Sequence, residues 1–427
     1  MATTTTREIP AGRVAELIKG EEERFRSARP ISHRLWTEAR QVLPRGVPSS
    51  FQDAAPQPIF VDHGKGSRVW DVDGNEYVDF HNGFGVMVVG HAHPKIVAAV
   101  RSQIERGSHF AQPVEDVIVV ARELKRRFHQ PKWRFTNSGT ESTLDAVRIA
   151  RGFTGRDRLI KIEASYHGHH DALMISVEPP PDRMGPADHP ASVPQSEGIP
   201  AAIVEPAMMN VGIVLPDAGY LDKVKEIAHR HGALLIFDEV KTGVTIAPGG
   251  ATERFNVTPD LVALAKAIGG GLPCGAVGGR DDVMAVIEEK KVAQMGTFNG
   301  NPLTMAASKV TLLDILDPNA YAHFDALAET LQGGLDDAIG RYELPFHVIT
   351  LAARGGVTYR ARRVRNYRDY LEIDKSFSYL SWLYQGNRGV IMAPGAEENW
   401  TLSVQHSTDD VQRYVDNFAE MARDLRQ

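Results

Sequence analysis

The stretch LDKVKEIAHRHGALLIFDEV, Leu221–Val240, sets a helix signal directly before a strand signal. Leu221, Val224 and Ala228 share one helical face, Gly232 ends the run, and the apolar run Ala233–Phe237 has the length of a buried strand. Working outward, short apolar runs of strand length recur at Leu261–Ala265, Ala201–Val204 and Leu159–Ile162, and Trp133–Phe135 is strand-like. Helical patterns lie among them and before them: Ile96, Val97, Val100 and Ile104 between Pro94 and Gly107, then Val117, Ala121, Leu124 and Phe128. Strands alternating with helices predict an α/β chain with a large, mostly parallel sheet covered on both faces.

The flanks read differently. Residues 1–58 are polar and charge-rich and are expected to form an N-terminal arm. From Ile59 to Phe80 short β-like runs surround Asp73-Gly74, a hairpin turn pair, and lead into a large domain expected over 59–310. A small α+β C-terminal domain is expected over 311–427, ending in a helical stripe of Val411, Tyr414, Phe418, Met421 and Leu425 behind the capping run Ser407–Asp410. The proline-rich segment 177–200 is expected to be an irregular surface loop.

A chain of 427 residues with 42% hydrophobic and 24% charged residues fits a globular protein of two to three units, and excludes a disordered or collagen-like one. Lys and Arg number 48 against 54 Asp and Glu, a net charge of −6, which argues against a nucleic-acid partner. Cys274 is the only cysteine, so no intrachain disulfide or four-thiolate zinc site can form, and a reducing, cytoplasmic setting is expected. No run approaches the ~18 apolar residues of a membrane-spanning helix.

In parallel α/β sheets ligands bind beyond the carboxyl ends of the strands. Ser138, Gly139 and Thr140 follow one such end and open a helix, as a phosphate cradle or as an ordinary N-cap. Lys266 follows Leu261–Ala265 and precedes Gly269-Gly270-Gly271; an amine among apolar residues suits a Schiff base, or it is a lysine extending its head to water. Asp238 ends the most apolar strand, where a carboxylate needs a cationic or hydrogen-bonding partner. His167, His169 and His170 cluster before Asp171, but their spacing matches no zinc motif, and no metal is expected. No GxxxxGK[ST] is present and no strand is followed by GxGxxG, which disfavours nucleotide and nicotinamide cofactors.

Together these residues form a family pattern. FTNSGTESTLDAVRIAR (Phe135–Arg151), SYHGHHD (Ser165–Asp171), IVEPAMMNVG (Ile203–Gly212), FDEVKTG (Phe237–Gly243), TPDLVALAKAIGGGLPCGAVGGR (Thr258–Arg280) and GTFNGNP (Gly296–Pro302) stand in order, with Asp238 and Lys266 28 residues apart. The chain resembles the class III aminotransferases, most closely their glutamate-1-semialdehyde aminomutase-like branch. The resemblance implies the fold type I architecture of transferases dependent on pyridoxal 5′-phosphate (PLP). It further implies Lys266 as the internal-aldimine lysine and proton carrier, Asp238 on the pyridine nitrogen, Tyr166 and Val240 on the two ring faces, and Asn210 on the ring hydroxyl. Ser138, Gly139 and Thr140 would bind the phosphate, and Thr297 would reach the phosphate of a second copy in a homodimer with shared sites.

The activity this implies is an aminotransferase, moving nitrogen from an amine or amino-acid donor to a keto or aldehyde acceptor through pyridoxamine phosphate. The alternatives are a 2,1-aminomutase and a PLP-binding protein without turnover. In PRGVPSSFQ (Pro44–Gln52), Gln52 stands where the aminomutases carry a carboxylate-binding arginine, and an amide cannot supply that charged bidentate clamp. Trp400–Ser403 also lacks the arginine that other members place there. Phe84 falls where the branch has an aromatic lining the substrate pocket, a place core packing would also explain.

Overall fold

The computed structural model describes residues 9–187, 190–191, 201–393 and 399–427. Most of the second half of the proline-rich segment, 188–189 and 192–200, therefore lies outside the described residues; its first half, 177–187, has neither helix nor strand. The strands are β1 (Val61–Lys65), β2 (Arg68–Asp71), β3 (Glu76–Asp79), β4 (Lys132–Thr136), β5 (Leu159–Lys161), β6 (Ala201–Ile203), β7 (Ile236–Asp238), β8 (Leu261–Ala265), β9 (Gly275–Gly279), β10 (His347–Leu351), β11 (Arg354–Thr358), β12 (Val390–Ile391) and β13 (Asn399–Thr401).

The chain divides into two compact units, one of Met1–Phe84, Gly90–His93 and Ala322–Gln427, the other of Gly85–Val89 and Pro94–Tyr321. This differs from boundaries at 58 and 310. The reason is non-local pairing: β12 adds in parallel to β3, with Val390 opposite Val78, so both ends of the chain share the sheet β1-β2-β3-β12. The hairpin at Asp73-Gly74 forms as read, β2 antiparallel to β3. Residues read as an arm also join this unit: Phe25 is fully buried against the Trp382 ring, 5.2 Å between centroids, and Arg29 donates to the Tyr77 hydroxyl and the Gly386 carbonyl. The last helix, Thr408–Asp424, starts with the Ser407–Asp410 capping box and buries its whole apolar stripe.

The second unit carries the strand–helix alternation. Its sheet runs β4-β9-β8-β7, continued by a parallel bridge from Phe237 to Val204 and by the parallel pair β6-β5. Every strand runs the same way except β9, which is antiparallel to both neighbours. Its sequence, GAVGG, carries no strand propensity; its neighbours explain it. A Cβ at Gly278 would press on the Trp133 ring, and one at Gly279 would meet Leu261 and the Asp260 carbonyl. The core between sheet and helices gathers Val147, Ile149, Leu159, Ile203, Ile236, Leu261, Val277 and Met284. The expected strand at Ala233 starts at Ile236 instead, because the Leu235 amide donates to the Asp260 carboxylate at 2.8 Å and not to a neighbouring strand.

Candidate active site

Sheet register brings three strand ends to one edge. Thr136 of β4 and Ala265 of β8 lie on either side of Gly275, and Asp238 of β7 pairs with Ala263. Ser138 and Lys266 follow those ends directly, so the candidate phosphate cradle, lysine and carboxylate share the carboxyl edge of the sheet.

At the cradle both readings of Ser138 hold together. Its hydroxyl accepts from the Glu141 amide at 3.2 Å, capping the helix Gly139–Thr154, and keeps its own O–H to donate. The helix N-terminus directs the amides of Gly139 and Thr140 outward, where an anion is stabilised. Glycine is required at the close approaches. A Cβ at Gly139 would meet Val240 at 2.8 Å, and Gly168, at φ +91°, lies against Thr140. Thr140 Oγ1 contacts His169 Nδ1 at 3.1 Å, and Thr143 donates to the His167 carbonyl at 2.6 Å, tying the histidine loop to the helix.

Asp238 is buried, and its two oxygens are held separately: Oδ2 by His167 Nδ1 at 2.8 Å, Oδ1 by the Val240 amide at 3.0 Å. Because the carboxylate only accepts, His167 carries its proton on Nδ1; its buried Nε2 has no hydrogen-bond partner among the described residues. Adjacent Glu239 serves another purpose. It faces away, accepting from the Ala251 and Thr252 amides and from both threonine hydroxyls, of Thr242 and Thr252, and burial pushes its pKa up to about 7.

Lys266 is half-buried and holds a left-handed backbone, φ 51°, at the start of a short 3-10 turn. A lysine kept in that region is a strained feature of the kind concentrated at functional sites. Cys274 is buried against Gly269, and burial pushes its thiol up to about 12, as fits packing and not nucleophilic use. No group of potential metal ligands occurs among the described residues.

Tyr166 and Asn210 converge on a carboxylate that sequence reading passed over. Glu205 accepts from the Tyr166 amide at 3.1 Å and from Asn210 Nδ2 at 3.0 Å. Also missed were His167 as the partner of Asp238, and Gly275, where any Cβ would overlap Thr136, Ser142 and the Ser138 carbonyl. Such contacts join residues remote in sequence, so no local pattern announces them. Thr297 is exposed and lines a cleft of about 870 Å³ with Phe110, Asn299 and Gly300; Asn137 donates to Asn299 at 2.9 Å, linking this loop to the cradle.

Gln52 and Phe84 belong to the other unit. Gln52 is exposed at the end of a 3-10 turn, and neighbouring Phe51 packs on Phe84 at 5.5 Å. Phe84 has φ 58°, and its carbonyl accepts from Arg354 at 3.4 Å.

A strand-end lysine, a fixed carboxylate, an anion cradle and an aromatic–aliphatic pair suit a phosphorylated pyridine aldehyde. The class III aminotransferase family pattern matches residues 50–186 and 189–361, and the chain belongs to that PLP-dependent family. It is 37% identical to the glutamate-1-semialdehyde 2,1-aminomutase of Methanothermobacter thermautotrophicus, over 92% of this chain and 99% of the relative. The glutamate-1-semialdehyde-aminomutase of Pseudomonas aeruginosa PAO1, also solved as a lysine-to-alanine variant in complex with PMP, matches with TM-score 0.89 and 27% identity over 98% of this chain and 99% of that one. An omega-transaminase from Sphaerobacter thermophilus matches with TM-score 0.87 and 29% identity over 93% and 98%. The expected fold type I architecture and PLP dependence therefore hold.

Proposed function

We propose that the chain is a PLP-dependent 2,1-aminomutase of the glutamate-1-semialdehyde type. The observation that carries this reading is the 37% identity to such an enzyme along nearly the full length of both chains; it favours the aminomutase alternative over the aminotransferase expected from sequence. Bound PLP supplies a ring that draws electron density from the substrate carbon attached to nitrogen. Lys266 would hold the cofactor covalently at rest and, its amine freed when the substrate nitrogen takes its place, would carry the proton at that carbon. Asp238, oriented by His167 and the Val240 amide, keeps positive charge on the ring nitrogen. Ser138, Gly139 and Thr140 hold the phosphate, Tyr166 and Val240 enclose the ring, Asn210 holds the ring hydroxyl, and Gln52 and Phe84 meet the substrate.

Thr297 completes the phosphate site of a second copy in a homodimer. Supporting this, Met295 and Phe298 beside it are 85% and 58% exposed, apolar surface that a second copy would cover.

Purified holoenzyme given glutamate-1-semialdehyde without any amino donor is expected to isomerise it. Absence of isomerisation, with amine donors instead converting the cofactor to its pyridoxamine form, overturns the reading in favour of intermolecular transfer. That second reading is favoured by one observation, Gln52 in place of the carboxylate-binding arginine.

A further inference from the structure

Glu205 lies two residues beyond β6 and is 6% exposed. Its carboxylate takes the Tyr166 amide on Oε1 at 3.1 Å, the Met209 amide on Oε2 at 3.0 Å, and Asn210 Nδ2 on both oxygens, 3.0 Å each. A carboxylate only accepts, which fixes the Asn210 amide with its nitrogen toward Glu205. Seen from a nitrogen 3.0 Å from each, the two oxygens of one carboxylate subtend far less than the 120° between two amide N–H bonds, the geometry of one N–H shared between them. The second N–H then points about 120° away, free to meet another acceptor.

Lys161, half-buried beneath the same loop, donates to the carbonyls of Ser165 at 2.7 Å and Leu173 at 3.2 Å. Burial lowers its pKa to about 8, and the charge of Glu205 opposes that shift. One acid thus anchors the backbone of Tyr166 and Met209 and the side chain of Asn210.

We propose that Glu205 is a positioning residue of the cofactor site, spending one Asn210 N–H on its carboxylate so that the other is presented to the ring oxygen of PLP. The inference rests on the ring contacts assigned to Asn210 and Tyr166 above. Replacing Glu205 by glutamine lets Asn210 turn its carbonyl toward the new amide, and the ring oxygen loses its donor. A donor to that oxygen stabilises its anionic form, so losing it makes the lysine-bound chromophore harder to deprotonate.

The test is a spectroscopic pH titration of the yellow holoenzyme as wild type, Glu205→Gln, Asn210→Ala and the double variant. Both single variants are expected to raise the pH at which the yellow band fades by roughly one pH unit, the size of one hydrogen bond to a charged group. The double variant is expected to shift no further than either alone. An unshifted Asn210→Ala overturns the ring-oxygen role of Asn210 and this inference with it. A shifted Asn210→Ala with an unshifted Glu205→Gln, or with additive shifts in the double variant, overturns Glu205 alone. Should Glu205→Gln fail to fold, Glu205→Asp keeps the charge but withdraws it by one methylene; a smaller upward shift supports the inference and an unchanged midpoint overturns it.

Discussion

The strand-end region around Asp238 and the loop around Phe84 hold their key residues by different means. Around Asp238 the fixing contacts come from strand ends and the turns just beyond them: Gly275 of β9 lets Thr136, Ser142 and the Ser138 carbonyl close in, Ser142 donates to the Leu264 carbonyl at 2.9 Å, and His167 meets Asp238 at 2.8 Å. Around Phe84 the chain makes a single short turn, Asn82–Gly85, that departs from right-handed helical geometry. Asn82 and Phe84 take left-handed conformations, at φ 46° and 58°. Asn82 is pinned by its amide to the carbonyls of Asp79 at 2.8 Å and Thr401 at 2.6 Å, and the His81 ring meets Phe84 edge-on at 4.2 Å. Arg354, fully buried with its pKa lowered to about 10 by burial, stays protonated at neutral pH and donates to the Thr401 hydroxyl at 2.6 Å. A sheet edge thus fixes the residues proposed to hold the cofactor, whereas residues of three strands, Asp79, Arg354 and Thr401, fix the loop proposed to meet substrate.

The harshest way to break the strand-end region is Lys266→Ala. The borohydride-stable cofactor adduct should disappear and turnover should fall by about 10⁴-fold or more, the upper size of a lost proton-transfer group; an adduct surviving in the variant removes Lys266 from its role. Asp238→Asn comes next. It keeps the shape but loses the charge facing His167, and kcat is expected to fall by about 10²–10³-fold with the adduct retained, comparable to losing one preorganised electrostatic contact. Gly275→Ala touches no reacting atom. Its methyl overlaps Thr136 and Ser142, so a loss of about 2–3 kcal/mol in denaturant unfolding is expected, together with weaker cofactor retention. An alanine that is tolerated without either effect would show that the sheet edge is not held by this close approach.

Legibility followed the same division. Lys266, Asp238 and Ser138–Thr140 stood out because each follows an apolar strand-length run, a local signal that survives without the fold. Strand β9 did not, because GAVGG owes its conformation to Trp133, Leu261 and Thr136 and carries no propensity of its own. Glu205 sat in plain view after Ala201–Val204, yet nothing nearby tells that Tyr166, 39 positions earlier, donates to it. The division into units carries no local signal because Val390 pairs with Val78 across most of the chain. Arg354, in the strand that precedes Thr401 in the sheet order, carries no motif at all.

A further effect, read as a pH slope and not as lost activity, separates the two units. Asp79, in the first unit, is held below the usual carboxylate range: burial alone would raise it, but the His91 hydrogen bond at 2.6 Å, the charges of His81 and His91 and the Asn82 amide outweigh that. A carboxyl lowered in the folded state binds protons less tightly there than in the unfolded chain, so its stabilisation is complete above the ordinary aspartate range and is lost as pH falls through and below it. Glu239, in the second unit, runs the other way. With its folded pKa raised to about 7, the folded form holds a proton that the unfolded chain has released, so stability declines as pH rises from the ordinary glutamate range to about 7 and is level beyond. The contribution is on the order of 3 kcal/mol from end to end. Unfolding of the whole chain followed by probes in each unit should therefore show opposite slopes, with the first unit failing first in acid. Asp79→Asn is expected to flatten the acid limb alone and Glu239→Gln the limb between about pH 4.5 and 7 alone; a slope that survives its own substitution would mean that the two units do not titrate separately.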